Sequence, residues 1–333
     1  MYQKGLVATL AELEAFYKGT DAGDIIELMN QTNDVLDDVQ WMESNQSDGH
    51  LTRIRTGLPE VYWRRIYRGT PPSKSAWSQV KETTGLLEAR MELDVEEIRL
   101  YADKCRAFRT SESLAFTESM RQKVATTMFY GDNSVNPDEF NGFAQRYPYA
   151  KNAALKAPNV VDGGAAAGKE STSMWLVSWG PNRVHGLYPK GSAGGLSHED
   201  LGQRTVEDAE GRKFEAMVDK YTWHCGLTVR DWRAVVRLAG IQVDSLAKSR
   251  GEAGFVDLHK LTIRAKNLMP ESMRATAIWY CNTDVMTALE YQASDAGNVQ
   301  LQYGELFNSR AVPVLHGRPV RQCDAIVSTE KAL

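Results

Sequence analysis

Three short stretches of the chain carry residue types that could do chemistry. Gly163-Gly-Ala-Ala-Ala-Gly168-Lys169-Glu170 follows a phosphate-binding loop for seven positions, then places Glu170 where Ser or Thr would hold Mg²⁺. A carboxylate there would repel a triphosphate. Residues 171–179 also read as a strand, where a phosphate loop opens a helix, so the stretch reads as linker. Ser197-His198-Glu199-Asp200 has metal-ligand types, but adjacent residues cannot all face one ion, and a polar loop is the simpler reading. His224-Cys225 sets a thiol beside a base, yet consecutive strand residues point to opposite faces. That pair reads as a structural thiol and a partly exposed imidazole. His50, His185, His259 and His316 stand apart, and no G-x-S-x-G, H-E-x-x-H or G-x-G-x-x-G occurs. These stretches give no reason to expect a catalytic residue, a metal ligand or a cofactor.

Composition narrows the classes further. The 333 residues include 39 Lys and Arg against 43 Asp and Glu, a formal charge of −4, which argues against a dedicated nucleic-acid binder coated in cations. Cys105, Cys225, Cys281 and Cys323 lie far apart with no C-x-x-C pair, as suits free thiols in a reducing cytoplasm. No apolar run approaches the roughly 20 residues that span a bilayer. The N-terminal MYQKGLVATLAELEAF shows no signal-peptide core, so a soluble cytoplasmic protein is expected.

The small net charge hides segregation. Residues 19–52 hold eight acids (Asp21, Asp24, Glu27, Asp34, Asp37, Asp38, Glu43, Asp48) and no Lys or Arg. Residues 53–81 hold Arg53, Arg55, Arg64, Arg65, Arg68, Lys74 and Lys81 against Glu60 alone. Two such blocks can fold back on each other, reach between identical copies, or simply face water.

The elements that carry these charges follow from periodicity. Residues 24–42 repeat apolar side chains near a 3.6-residue period and predict an amphipathic helix, with a shorter one over 6–16. After Asp48-Gly49 the pattern alternates, predicting strands over 51–55, 61–67 and 76–80, with a Gly/Pro turn at Arg68-Gly-Thr-Pro-Pro-Ser73. The result is a long basic ribbon over 51–94, which is marginal alone in water and needs a cover. Phe116, Met120, Val124 and Met128 predict a helix over 111–130 with core packing along that stripe, N-capped by Thr110, Ser111 or Ser113 and stopped at Gly131. Beyond a polar loop at 132–143, strands are expected over 174–179, 183–188, 214–236, 275–280 and 318–326, with helices over 255–267 and 283–291. Eight Trp are spread along the chain. Most read as core, while Trp63 and Trp77 on the ribbon read as contacts between subunits, since Trp and Arg anchor protein interfaces.

This order of parts resembles the HK97-fold major capsid proteins of tailed bacteriophages, and most closely the compact coat proteins of the epsilon15-like and Bordetella-phage-like podoviruses. The phrases that carry the likeness are Asn30-Gln-Thr-Asn33, Arg55-Thr-Gly-Leu-Pro59 with Val61-Tyr-Trp-Arg64, Pro72-Ser-Lys74, Phe129-Tyr-Gly-Asp132, Tyr188-Pro-Lys-Gly191, Gly195-Leu-Ser-His-Glu-Asp-Leu-Gly202 and Gly317-Arg-Pro-Val-Arg321. They cover nearly the whole chain. The resemblance implies an α+β capsid fold with an N-arm (1–48), a β-hairpin E-loop (49–95) lying over a neighbour, a P-domain (96–150) with spine helix 111–130, and an A-domain with remaining P-domain strands (151–333). Residues 175–241 intervene where the commonest members run on from the spine helix to a segment like 275–326, which leaves room for a rearranged topology.

The implied function is a major capsid protein whose copies form pentamers and hexamers of an icosahedral shell around double-stranded DNA. It would be made in the bacterial host cytoplasm and reside in the virion. Implied partners are copies of itself, separate scaffolding, cement and portal proteins, and packaged DNA through nonspecific contact, with no membrane. Asp34, Asp37, Asp38, Trp63, Arg64, Arg65, Arg68, Lys74 and Trp77 are the expected contact residues between subunits. Some relatives crosslink through Lys and Asn, but no partner Asn or catalytic Glu is identifiable for Lys74 or Lys81. A phage tail or adaptor protein, or an oligomeric enzyme whose site gathers distant residues, remain the other readings.

Overall fold

The computed structural model describes residues 31–47, 49–100, 104–150, 157–166, 168–192, 194–248, 251–294, 301–306 and 310–330. The helix expected over 6–16 lies outside them. In chain order the first strands are β1 (Trp41–Glu43), β2 (Gly49–Gly57), β3 (Ala76–Asp94), β4 (Val160–Asp162), β5 (Ser171–Ser178), β6 (Val184–Tyr188) and β7 (Leu196–Glu207). They are followed by β8 (Lys213–Val229), β9 (Val235–Gln242), β10 (Ala277–Cys281), β11 (Leu301–Leu306), β12 (Arg310–Leu315) and β13 (Arg318–Gln322).

Two sheets result. One runs β1-β6-β8-β3-β2, with β7 also paired to β8; the other runs β11-β12-β13-β10-β5-β9-β4. β3 serves two neighbours in succession: Ala76–Thr83 pairs with β2, and Thr84–Asp94 pairs with β8. The expected ribbon is therefore rooted in the sheet, and only its far half projects. β5 is buried along its whole length because β10 and β9 flank it and helices and the C-terminal segment cover its faces. Its Ser-Thr-Ser opening tolerates burial because Ser171 Oγ donates to the Glu330 carbonyl (2.9 Å) and Thr172 Oγ1 to that of Val327 (3.0 Å).

The long helix runs Cys105–Tyr130, 26 residues and about 39 Å, six residues longer than expected at its N-terminus. The expected caps are not used. Thr110 and Thr117 instead donate to the Arg106 and Ser113 carbonyls one turn back, both at 2.9 Å. Gly131 ends the helix at φ −54°, outside the left-handed region; it must be Gly because a Cβ would overlap the carbonyl oxygens of Phe140 and Thr127. Met120, Val124 and Met128 are buried and Phe116 stacks on Tyr221 at 6.0 Å, so the stripe is core. Phe129, Phe143 and Trp175 close that core with ring centroids 5.7–6.0 Å apart.

Four expectations are corrected. Within 31–42 the chain forms only the short helix Val35–Asp38 before β1, because Trp41 lies flat on Gly186, where a Cβ would strike the ring, and parallel pairing with β6 outweighs helical periodicity. Residues 58–75 hold no strand; Pro59, Pro71 and Pro72 withdraw backbone donors there. Residues 197–200 lie in β7, where pairing with β8 replaces the expected loop. The run 214–236 is two strands, split by the turn Trp232–Ala234 that Asp231 caps through Arg233 N–H (3.0 Å).

Candidate inter-subunit surface

Beyond the pair Gly57↔Ala76, residues 58–75 leave the body as an irregular loop. It is not shapeless: Ser73 Oγ donates to the Glu60 carbonyl (2.7 Å), the Tyr62 hydroxyl donates to the Glu60 carboxylate, and Arg68 N–H donates to the Arg65 carbonyl (3.2 Å). Tyr67 holds φ at 65°, a strained value for a bulky residue. The loop presents Leu58, Val61, Trp63, Ile66 and Tyr67 to solvent, with Trp63 and Tyr67 fully exposed, between Arg64, Arg65, Arg68 and Lys74. A cluster of large apolar side chains in water is costly, and such patches mark contact surfaces. Trp77 sits lower, half-exposed, under the Arg55 guanidinium at 4.4 Å.

The root of this projection is held rigidly. Arg146 grips Glu82 with both Nη atoms (2.5 and 2.7 Å) and reaches the Leu227 carbonyl (3.2 Å), tying β3 to β8. His50 on β2 and His185 on β6 meet edge to face at 5.9 Å. Burial, then the charge of Arg230, hold both imidazoles below the ordinary value, His185 at about 4. They are neutral at pH 7. Beside the root, Arg53 and Arg55 face Arg230, Trp232 and Arg233 across an open groove of about 600 Å³, with Asp231 its one acid. The β8–β9 corner was not among the expected contact residues, although Arg230-Asp-Trp-Arg233 shows Trp between arginines in the sequence.

The acids of the arm are placed differently. Asp38 accepts from Tyr280 Oη (2.7 Å) and pairs with Arg321 (3.0 Å), with Asp34 at 3.9 Å from the same guanidinium. Burial pushes the Asp38 carboxyl above its usual range, against the opposing effect of Tyr280 and Arg321. Asp34 and Asp38 thus serve contacts within the subunit, while Asp37 is exposed. The structure gathers Trp63, Arg64, Arg65, Arg68 and Lys74 on the loop between β2 and β3, with Trp77 near its base, and sets the three acids apart at the short helix before β1.

The stretches with chemical residue types hold structural positions. His198 Nε2 lies 2.9 Å from buried Asp219, which Arg109 of the long helix also grips through Nε (2.9 Å) and Nη2 (2.7 Å). Cys225 is buried and its thiol is pushed to about 12, while His224 lies on the other face of β8. Gly163 and Ala165 donate backbone N–H groups to Ala239 and Gly240, and Ser171 opens a strand. Among the described residues no group of three His, Cys, Asp or Glu is placed to hold a metal ion. No helix among them is long and apolar enough to cross a membrane.

Residues 58–75 thus form an exposed, basic and aromatic projection from the two-sheet body. Residues 18–333 match the family described as Major capsid protein GP7. The chain belongs to that family. The coat protein is similar over 98% of both chains to the solved structure of bacteriophage Epsilon15, with 29% identity and a TM-score of 0.73. The bacteriophage JBD30 capsid matches 96% of this chain and 99% of its own at 11% identity and a TM-score of 0.50, a likeness of fold alone. No curated protein matches the chain in sequence. The α+β fold is HK97-like, and the protein is a structural coat subunit of a phage head shell.

Proposed function

We propose that copies of this coat protein associate as pentamers and hexamers and close into an icosahedral shell around the double-stranded DNA of a tailed phage. In this reading residues 1–48 form the N-arm, 49–95 the E-loop, 96–150 a P-domain around the long helix, and 151–333 the A-domain with the remaining P-domain strands. The supporting observation is the loop 58–75, whose exposed aromatics and cations need a neighbour's surface. Its contacts repeat head to tail, and a heterologous contact of fixed rotation closes into rings. The contact set is Trp63, Arg64, Arg65, Arg68, Lys74 and Trp77 on one copy, with Asp37 an exposed acid of the arm; Asp34 and Asp38 contribute through the fold that leads into β1.

A net acidic subunit holds packaged DNA weakly and without sequence preference. Scaffolding, cement and portal proteins are separate chains in this reading, and the mature protein resides in the virion after synthesis in the host cytoplasm. Electron micrographs of the purified protein test the proposal. Closed shells tens of nanometres wide are expected; tubes or open rings would point to a tail or adaptor role, and dispersed small oligomers would overturn shell formation by this chain alone.

A further inference from the structure

A second concavity lies between β3, the long helix and the loop after it. Gly85, Leu86 and Leu87 of β3, Val124 of the helix, Phe140 and Cys225 give it an apolar wall, and its volume is about 200 Å³. Asp138 and Glu139 stand at its rim, with Lys123 bound to Glu139 at 2.6 Å. A dry apolar space of about 150 Å³ suffices for a benzene ring, so this one takes a single large aromatic side chain.

We propose that the pocket receives Trp63 of a second copy of the chain, with the adjacent Arg64 and Arg65 set against Asp138 and Glu139. The inference rests on the self-assembly reading and names the receptor for the hairpin tip. Three observations point to this occupant. Trp63 is fully exposed, so its own pocket does not hold it. The ladder of β2 and β3 keeps the two apart: the loop lies beyond Ala76, nine residues and about 30 Å along β3 from Gly85. Charge then sets the register, because cations flank the ring on the hairpin and carboxylates flank the opening. Pocket and plug are different patches of one subunit, which is the heterologous geometry that builds rings.

Two populations with different tags test this, one carrying Trp63→Cys and the other Leu86→Cys at the half-exposed rim of the pocket. Mixed assembly followed by mild oxidation is expected to give crosslinks that join the two tags. In parallel, Trp63→Ala should raise the protein concentration needed for shells at least tenfold while the thermal midpoint of the unassembled subunit stays unchanged. Combining Arg64→Glu and Arg65→Glu with Asp138→Lys and Glu139→Lys should restore assembly that either pair alone impairs. Shells of Trp63→Ala at the wild-type threshold, or shells of the cysteine variants with no crosslink joining the tags, would overturn the pocket assignment. Wild-type protein that forms no shells would instead count against the assembly reading itself.

Discussion

Substituting Glu330 offers a direct measure of what the C-terminal segment contributes. Glu330 lies nearly 160 residues from its strand partner Ser171, yet its backbone N–H donates to the Ser171 carbonyl at 2.9 Å. Its carboxylate accepts from Tyr130 Oη (2.5 Å), from Ser173 Oγ and from Arg237 Nη2 (2.9 Å). Both charged side chains are almost wholly buried, at 6% exposure for Arg237 and 5% for Glu330. Arg237 keeps two further acceptors, the Tyr147 carbonyl (2.8 Å) and Ser173 Oγ (3.0 Å), and its guanidinium lies over Trp175 at 4.8 Å. Burial and the adjacent carboxylate push the Tyr130 hydroxyl well above its ordinary value, so it remains a donor.

Glu330→Ala leaves the Arg237 charge inside the protein without its counter-ion, and removing one partner of a buried pair costs about 3–5 kcal/mol. Glu330→Gln keeps the volume and one acceptor and should cost less. Replacing both residues, as Arg237→Met with Glu330→Leu, removes charge and counter-charge together and should recover much of the loss. Urea unfolding of the unassembled subunit, followed by tryptophan fluorescence, measures all three variants. A loss below about 1 kcal/mol in Glu330→Ala, or a double variant no better than the single one, would refute this account of the pair.

Other perturbations test other parts. His185 has a folded-state value of about 4 against an ordinary 6.5, so the unfolded chain takes up its proton first as the pH falls. Its contribution, about 3 kcal/mol, is complete above pH 6.5 and is lost progressively down to about pH 4; His185→Phe should flatten urea midpoints over that window, and an unchanged slope would count against it. Charge reversal at Arg64, Arg65 and Arg68 should weaken or block shells in electron micrographs while leaving subunit stability within about 0.5 kcal/mol, since all three are exposed. Gly186→Ala places a methyl group against the Trp41 ring and should cost about 1–3 kcal/mol, read as a lower thermal midpoint; a neutral result would mean that β1 shifts freely.

Much of the fold is legible in the residues themselves. The Met120–Met128 stripe finds the long helix, the strand at 275–280 and the helix at 283–291 occur nearly where alternation and capping put them, and the runs at 51–55 and 76–80 find the two strands that root the projection, while the aromatic run 61–67 forms no strand. The helix over 24–42 fails in its described part for a particular reason. Asp34 and Asp38 are drawn to Arg321 and Trp41 to Gly186, partners that lie far along the chain and that no local window contains. β7 was hidden because polar residues on an exposed edge carry no hydrophobic period, and only the register with β8 makes them a strand.

The sequence alone thus determines which side chains are too apolar or too charged to stay unpartnered: Trp63 among its arginines, the acid-rich arm, the aromatic core strands. Such properties are local and additive along the chain. Only the tertiary structure decides which charges are settled within the subunit, as at Asp38–Arg321, Glu82–Arg146 and Glu330–Arg237, and which are left facing outward on the hairpin. Ion pairs depend on distance in space and on burial, and neither is set until the two sheets and the long helix have packed.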